Sequence, residues 1–377
     1  MAPRTTPPFR ADHVGSLLRP PELLKARADF AAGAITLEEL HAVEDTAVRD
    51  AVRMQEDVGL QSITDGEFRR GAWLADFVHQ LGGVTPTRTD LSGATPEAPR
   101  EPGLIELASG GTLLKVDEKL HLNETIFADD FRFLKETVSK GTPKQTIPSP
   151  SMVHYRGGRA GISESVYPDL GDFWHDLSGV YAEEIQGMWE LGCTYLQLDD
   201  TSLAYVNDPK QREHVVKLGG DPLRQHHQYI AAINEAISGR PEGMSVTTHL
   251  CRGNLRSSWM AEGGYDFVAE ALFNELAVDG FFLEYDDERS GGFEPLRFVP
   301  KGKIVVLGLV TTKRGALEHK DDLKRRVDEA AEFVDLDQLC LSPQCGFASV
   351  VEGNAITYDD QVAKLRLVAE TAAEIWG

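Results

Sequence analysis

Basic side chains are scarce in this sequence. Lys and Arg number 38 against 60 Asp and Glu in 377 residues, a formal net charge of -22. Phosphate backbones and anionic lipid surfaces are held by clustered Lys and Arg, so this balance argues against a nucleic-acid or membrane partner. Cysteine is sparse too. Cys193, Cys251, Cys340 and Cys345 are too few to make a disulfide framework in so long a chain. They are expected as ligands or buried thiols in a reducing compartment. No hydrophobic run approaches membrane-spanning length, and residues 1–8 lack the apolar centre of a signal peptide, so a cytoplasmic protein is expected. What is plentiful is core material: 41% of the residues are hydrophobic, enough for a large interior.

Along the chain, short β-branched or apolar runs alternate with stretches of helical periodicity. Strands are expected at residues 9–16, 62–67, 145–150, 194–200, 244–251, 280–286, 303–310 and 338–345. Helices are expected at 21–30, 37–58, 128–139, 168–191, 222–238, 265–276, 321–333 and 357–375. The third strand contains two prolines, which count against it because proline cannot donate to a ladder. Residues 82–125, rich in Gly, Pro and Thr, read as an inserted loop or hairpin. Eight strands alternating with helices imply parallel pairing. The expected fold is a single (β/α)8 TIM barrel occupying residues 1–377 as one domain. A barrel of this size is compatible with a homodimer, although no stretch encodes an interface.

Polar residues gather where the strands stop: Ser16, Glu67, Asp199, His249, Cys251, Glu284 and Cys345. In such barrels that end carries the active site. In Val246-Thr247-Thr248-His249-Leu250-Cys251, positions i and i+2 face one way, so His249 and Cys251 aim at a common point. Glu284 and Cys345 close two further strands. One imidazole, two thiols and a carboxylate make a tetrahedral zinc set. The plainer alternative is that both thiols are buried small hydrophobes and His249 a satisfied polar residue. Cys193 and Cys340 fit that description. Because thiolate binds zinc more strongly than carboxylate, Glu284 is the ligand most easily displaced. A thiol substrate can then enter and lose its proton, which suggests thiol alkylation rather than hydrolysis.

These stretches resemble the C-terminal catalytic barrel of cobalamin-independent methionine synthase. The resemblance runs along almost the whole chain. It is carried by His13-Val14-Gly15-Ser16, Asp65-Gly66-Glu67-Phe68-Arg69-Arg70, Gln197-Leu198-Asp199-Asp200, Thr248-His249-Leu250-Cys251, Leu283-Glu284 and Ser342-Pro343-Gln344-Cys345-Gly346. It implies zinc at His249, Cys251, Glu284 and Cys345, with the sulfur of homocysteine joining it. It also implies that Glu67 and Asp199 hold the substrate's amino group and Ser16 its carboxylate. The chemistry agrees, since an ammonium wants paired carboxylates and a carboxylate wants hydroxyl and amide donors. The alternative for the two acids is a salt bridge to Arg69 or another cation.

Three departures from the family pattern stand out. There is no room for the second, N-terminal barrel with which the full synthase helps bind folate. At the position of the family's proton-donating His stands Lys313, which serves as an acid only if its pKa is depressed, and otherwise pairs with a substrate or with Glu284. The Trp placed against the pterin has no counterpart; His154 and Tyr155 occupy that region. Lys313 and Asp199 are the candidate catalytic residues. The expected activity is zinc-dependent methyl transfer to a thiol, homocysteine giving methionine, from 5-methyltetrahydrofolate, a methylated corrinoid or another small methyl donor. Two alternatives stay open: alkylation of a different thiol by epoxide opening, and a non-catalytic zinc- and thiol-binding protein. Arg19, Gly157-Gly158-Arg159 and Arg252-Gly253-Asn254 are further candidates for contact with an anionic group, while His226-His227 reads as a surface pair and Trp73 as core.

Overall fold

The structure, a computed structural model, describes residues 4–86 and 114–377. Its strands are β1 (Ser62–Ile63), β2 (Gly82–Pro86), β3 (Leu114–His121), β4 (Thr142–Pro143), β5 (Gln145–Pro148), β6 (Tyr195–Asp200), β7 (Ser245–Leu250), β8 (Gly280–Glu284), β9 (Ile304–Val310) and β10 (Leu339–Pro343). Six of them form one parallel sheet in the order β10-β9-β8-β7-β6-β5. β1 and β4 pair in parallel beside it. The result is an α/β fold with a barrel-like order of parallel strands. β5 ends the six-stranded ladder, and its terminal Pro148 therefore sits on an edge.

The expected first strand is not a strand. Residues 9–16 contribute one parallel bridge, Ala11 to Leu341, through Leu341 N–H to Arg10 O at 2.9 Å and Asp12 N–H to Leu341 O at 3.0 Å. The Asp12 carboxylate takes the backbone N–H groups of Phe9 and His13 for itself, which removes them from any ladder. Toward β1 the links come largely from side chains: His13 Nε2 lies 3.1 Å from Ser62 O, and the Thr64 hydroxyl donates to Gly15 O at 2.7 Å.

The insertion contains a hairpin. β2 and β3 pair antiparallel, and β3 packs on the helix Leu170–Glu190. The remainder of that expectation, residues 87–113, lies outside the described residues.

Helix Leu37–Val58 shows why the helical periodicity was readable. Thr36 and Glu39 form a reciprocal capping box, Gly59 ends the helix in the left-handed region at φ 92°, and Leu40, Ala47, Val48, Ala51, Val52 and Val58 are buried along one face. Outside the sheet these helices make one large apolar core. Inside lies a second, smaller layer of Phe9, Val14, Tyr195, Phe282, Ile304, Val306 and Cys340. Lys144 is sealed in there with Asp12, its Nζ 3.2 Å from Oδ1 and 4.1 Å from the centre of the Phe282 ring. Among the described residues no helix is long and apolar enough to cross a membrane.

Candidate metal and thiol site

The strand register sets this site. In the β6–β7 pair, Asp199 stands opposite His249; in β8–β9, Glu284 stands opposite Gly308. A Cβ on Gly308 would meet Gln344 Cα and Leu283 O at 2.7 Å each, so only glycine lets the chain after β10 lean in and present Cys345. Ligand atoms of His249, Cys251 and Cys345 all lie within 4.8 Å of one another, and all three residues are buried. The two sulfurs are 3.4 Å apart without a disulfide. Gly253 N–H points at Cys251 Sγ from 3.2 Å.

Among the described residues the ring nitrogens of buried His249 have no oxygen or nitrogen hydrogen-bond partner, only the Cys345 sulfur. Such orphaned atoms are costly unless something else satisfies them. The Cys345 thiol is held well below its usual pKa by the Cys251 S–H it accepts and, against burial, by the adjacent imidazole; Cys251, donating, is pushed up. Two thiols and an unsatisfied imidazole at one buried point fit a zinc ion better than a hard, oxygen-seeking cation.

Glu284 is placed differently. It is fully buried but lies outside that three-residue group. One oxygen accepts Lys313 Nζ at 3.0 Å and the Arg289 guanidinium; the other accepts Arg252 N–H at 2.9 Å. Burial raises its pKa, yet Lys313, Arg289 and Arg252 together carry it below the carboxylate range. Lys313 is the reciprocal case: burial works against its charge, but Glu284 and Asp286 lift it above the ordinary lysine value. The depressed pKa on which an acid role depends is therefore absent.

On the other side of the ring, the Thr146 hydroxyl donates to Glu67 Oε1 at 3.0 Å, and Arg70 Nη1 stands 4.0 Å away. Arg69 is not its partner; it pairs with Glu44, Asp45 and Asp130. Glu67 itself adopts φ 59°, a left-handed conformation rare outside glycine, with its N–H bound to Asp65 Oδ1 at 2.8 Å. Asp199 accepts the Gln197 amide at 2.7 Å. Burial lifts its pKa to about 7, with His249 pulling down and Glu67 pushing up. Ser16 is buried against the chain after Cys345: a Cβ on Gly346 would fall 1.9 Å from its Oγ, and Phe347 N–H donates to Ser16 O at 2.9 Å.

The family model described as "Cobalamin-independent synthase, Catalytic domain" matches residues 9–373. The chain belongs to this family, that of the cobalamin-independent methionine synthases, which are methyltransferases. It is 46% identical over 373 residues to the uncharacterised protein YxjH of Bacillus subtilis, covering 98% of this chain and 95% of that one. It is 24% identical over 338 residues to the methionine synthase of Pyrococcus abyssi, covering 88% and 84%. Among solved structures, a candidate vitamin-B12 independent methionine synthase from Listeria monocytogenes superposes with TM-score 0.77 at 38% identity, covering 99% of this chain and 100% of that one.

Within this cobalamin-independent synthase fold several other sequence candidates turn out to tie loops together. Arg19 donates to the carbonyls of Ala348, Glu67 and Arg70. Arg252 is consumed by Gly263 O, Glu284 O and Ser290 O, and Asn254 by Gly346 O. His227 pairs with Glu275 at 3.0 Å while His226 is buried. Trp73 packs partly buried on the core, where Cys193 is wholly buried; Cys340 belongs to the inner layer. Sequence reasoning missed Arg289 and Asp286, which with Lys313 surround Glu284. Their only signal was the dense charge of Asp286-Asp287-Glu288-Arg289 directly after a strand end.

Proposed function

We propose that the protein is a cytoplasmic, zinc-dependent thiol S-methyltransferase, with homocysteine as acceptor and a small methylated molecule as donor. We also propose that residues 1–377 form one closed (β/α)8 barrel; the Ala11–Leu341 bridge and the β1–β4 pair support closure. The observation that carries the functional reading is the buried triad of His249, Cys251 and Cys345 beside the facing acids Glu67 and Asp199. A zinc ion held by that triad would supply a lowered pKa for a substrate thiol.

The rest of the work belongs to the chain. Glu67 and Asp199 orient the substrate ammonium, and Ser16 takes its carboxylate, leaving the sulfur directed at the triad. The thiolate sulfur attacks the methyl carbon in line; the new S–C bond forms as the donor keeps the electron pair of the broken bond. Lys313 acts through Glu284, as a positioning residue. A thiol without an α-amino group would have no use for the Glu67–Asp199 pair, which favours homocysteine over the epoxide-opening alternative.

X-ray absorption at the zinc edge tests the reading. Resting protein is expected to show about two sulfurs, rising to about three with L-homocysteine. A zinc shell that ignores homocysteine would end that assignment, and protein that takes up no zinc would end the metal reading.

A further inference from the structure

The two acids of the proposed cradle are held in a different way from Glu284. Lys313 and Arg289 bind Glu284 directly, cation on carboxylate. Glu67 and Asp199 are held by neutral side chains, Thr146 and Gln197, which stand opposite each other in the β5–β6 pair. The Gln197 amide gives one proton to Asp199 Oδ1 and the other to Val14 O, both at 2.7 Å. Thr146 does the same work for Glu67, but with a cation close by.

That cation is Arg70. It is 2% exposed, its Cζ lies 4.1 Å from the centre of the Phe127 ring, and its Nε and Nη2 have no hydrogen-bond partner among the described residues. A buried guanidinium with donors to spare is drawn strongly to a neighbouring carboxylate. Glu67 is within that reach, yet Nη1 stops 4.0 Å from Oε1, beyond hydrogen-bond range. Nη1 donates to Thr146 Oγ1 at 3.1 Å instead. Arginine has only protons to give, so the hydroxyl accepts there and spends its single proton on Glu67 Oε1, 3.0 Å away. The segment bearing Ser16 closes this space from a third side. A Cβ on Gly15 would fall 2.8 Å from the Thr146 methyl carbon and 3.4 Å from Glu67 Oε1.

We propose that Thr146 is a positioning residue that insulates Glu67 from Arg70. Its hydroxyl occupies the guanidinium and gives Glu67 a neutral hydrogen bond, so the carboxylate is fixed in place without being tied up in an ion pair. The inference rests on the proposed function, in which the Glu67 charge meets the substrate's ammonium. An Arg70–Glu67 ion pair would compete with that ammonium for the same oxygen and weaken the hold on the amino acid.

The test is a pair of readouts on Thr146→Ala, with circular dichroism as the check on folding. In a crystal structure of the substrate-free variant, Arg70 Nη1 is expected to close from 4.0 Å to about 2.8 Å from Glu67 Oε1. KM for L-homocysteine should rise by about tenfold, with a smaller change in kcat and zinc content unaltered. Thr146→Ser, which keeps the hydroxyl, should rescue both readouts. With Glu67→Gln already in place there is no charge for Arg70 to capture, so Thr146→Ala should then move KM by less than about twofold. A threonine that only supports the fold would raise KM by the same factor in both backgrounds, and that result overturns the proposal. So does an unchanged spacing, or an unchanged KM, in Thr146→Ala. Should Thr146→Ala fail to fold, Thr146→Val also removes the hydroxyl while keeping the volume, and is read in the same way. Wild-type protein that does not turn over homocysteine ends the functional reading instead. The Arg70–Glu67 spacing in the variant crystal then decides this proposal alone.

Discussion

Lys313 Nζ sits 3.0 Å from Glu284 Oε1 with both side chains buried, and it is this pairing, with Arg289, that keeps the Glu284 carboxylate engaged away from the cysteines. A metal at the triad would then have three protein ligands and one position free for a thiol, the arrangement typical of catalytic rather than structural zinc. Replacing Lys313 by Met removes one of the three cations that act on Glu284. The expected result is an added oxygen ligand in the zinc-edge spectrum as Glu284 turns to the metal, and a fall in kcat/KM of about tenfold or more. Lys313→Arg, which keeps a cation, should restore the three-ligand spectrum. Identical spectra for the wild type and the Met variant would show that Lys313 has no hold on Glu284.

On the proposed reading Cys251 and Cys345 supply both sulfurs of the site. Cys251→Ser and Cys345→Ser are each expected to lower zinc affinity by at least about a hundredfold, measured by competition with a chelating dye, because a hydroxyl is a far poorer zinc ligand than a thiolate. Cys193→Ser and Cys340→Ser should leave zinc content untouched, since those thiols lie in apolar packing.

Glu67 makes a cleaner probe of the proposed amino-acid cradle than Asp199, whose carboxylate feels the charge of His249. Glu67→Gln preserves shape and can still accept from Thr146, but it removes the charge facing an ammonium. KM for homocysteine should rise by about tenfold or more, with zinc content unchanged and a smaller effect on kcat. A variant with unaltered KM would point to a thiol that lacks an amino group.

Glu184 offers a test remote from the chemistry. Burial pushes its pKa up to about 8; Oε2 accepts Ile126 N–H at 2.9 Å, while Oε1 has no partner among the described residues. The folded protein therefore keeps this proton between about pH 4.5 and 8, a window in which the unfolded chain has already released it. The stability from this group is full below the unfolded value and is lost as pH rises through 8. Glu184→Gln should match the wild type in Tm near pH 4.5 and exceed it at pH 9 by about 2–4 °C for each kcal/mol recovered. A constant difference across that range would contradict the assignment.

Much of the fold was legible because burial leaves a period in the sequence. Helix Leu37–Val58 was bounded to the residue, its ends marked by Thr36, Glu39 and Gly59, and β7 was placed within a residue at each end by its β-branched run. The first strand misled because Phe9 to Ser16 has a strand's alternation, while Asp12 captures the N–H groups that a ladder would need. Helix Pro209–Lys217 was missed although its signal was present, an Asp208 cap followed by Pro at the first position. The triad could be read since its members end strands. The clamp on Glu284 could not, because Arg289 comes from an irregular loop whose path no local pattern sets.

The bridge between Ala11 and Leu341 also fixes a moment in the life of the polypeptide. His249 and Cys251 leave the ribosome well before Cys345, and the segment bearing Ser16, already tied to residues 62–66, gains its remaining partner only when β10 arrives. A nascent chain thus carries two of the triad's three side chains and an open seam. On the proposed metal reading, a chain stalled short of its last strand lacks the second thiol that the site needs.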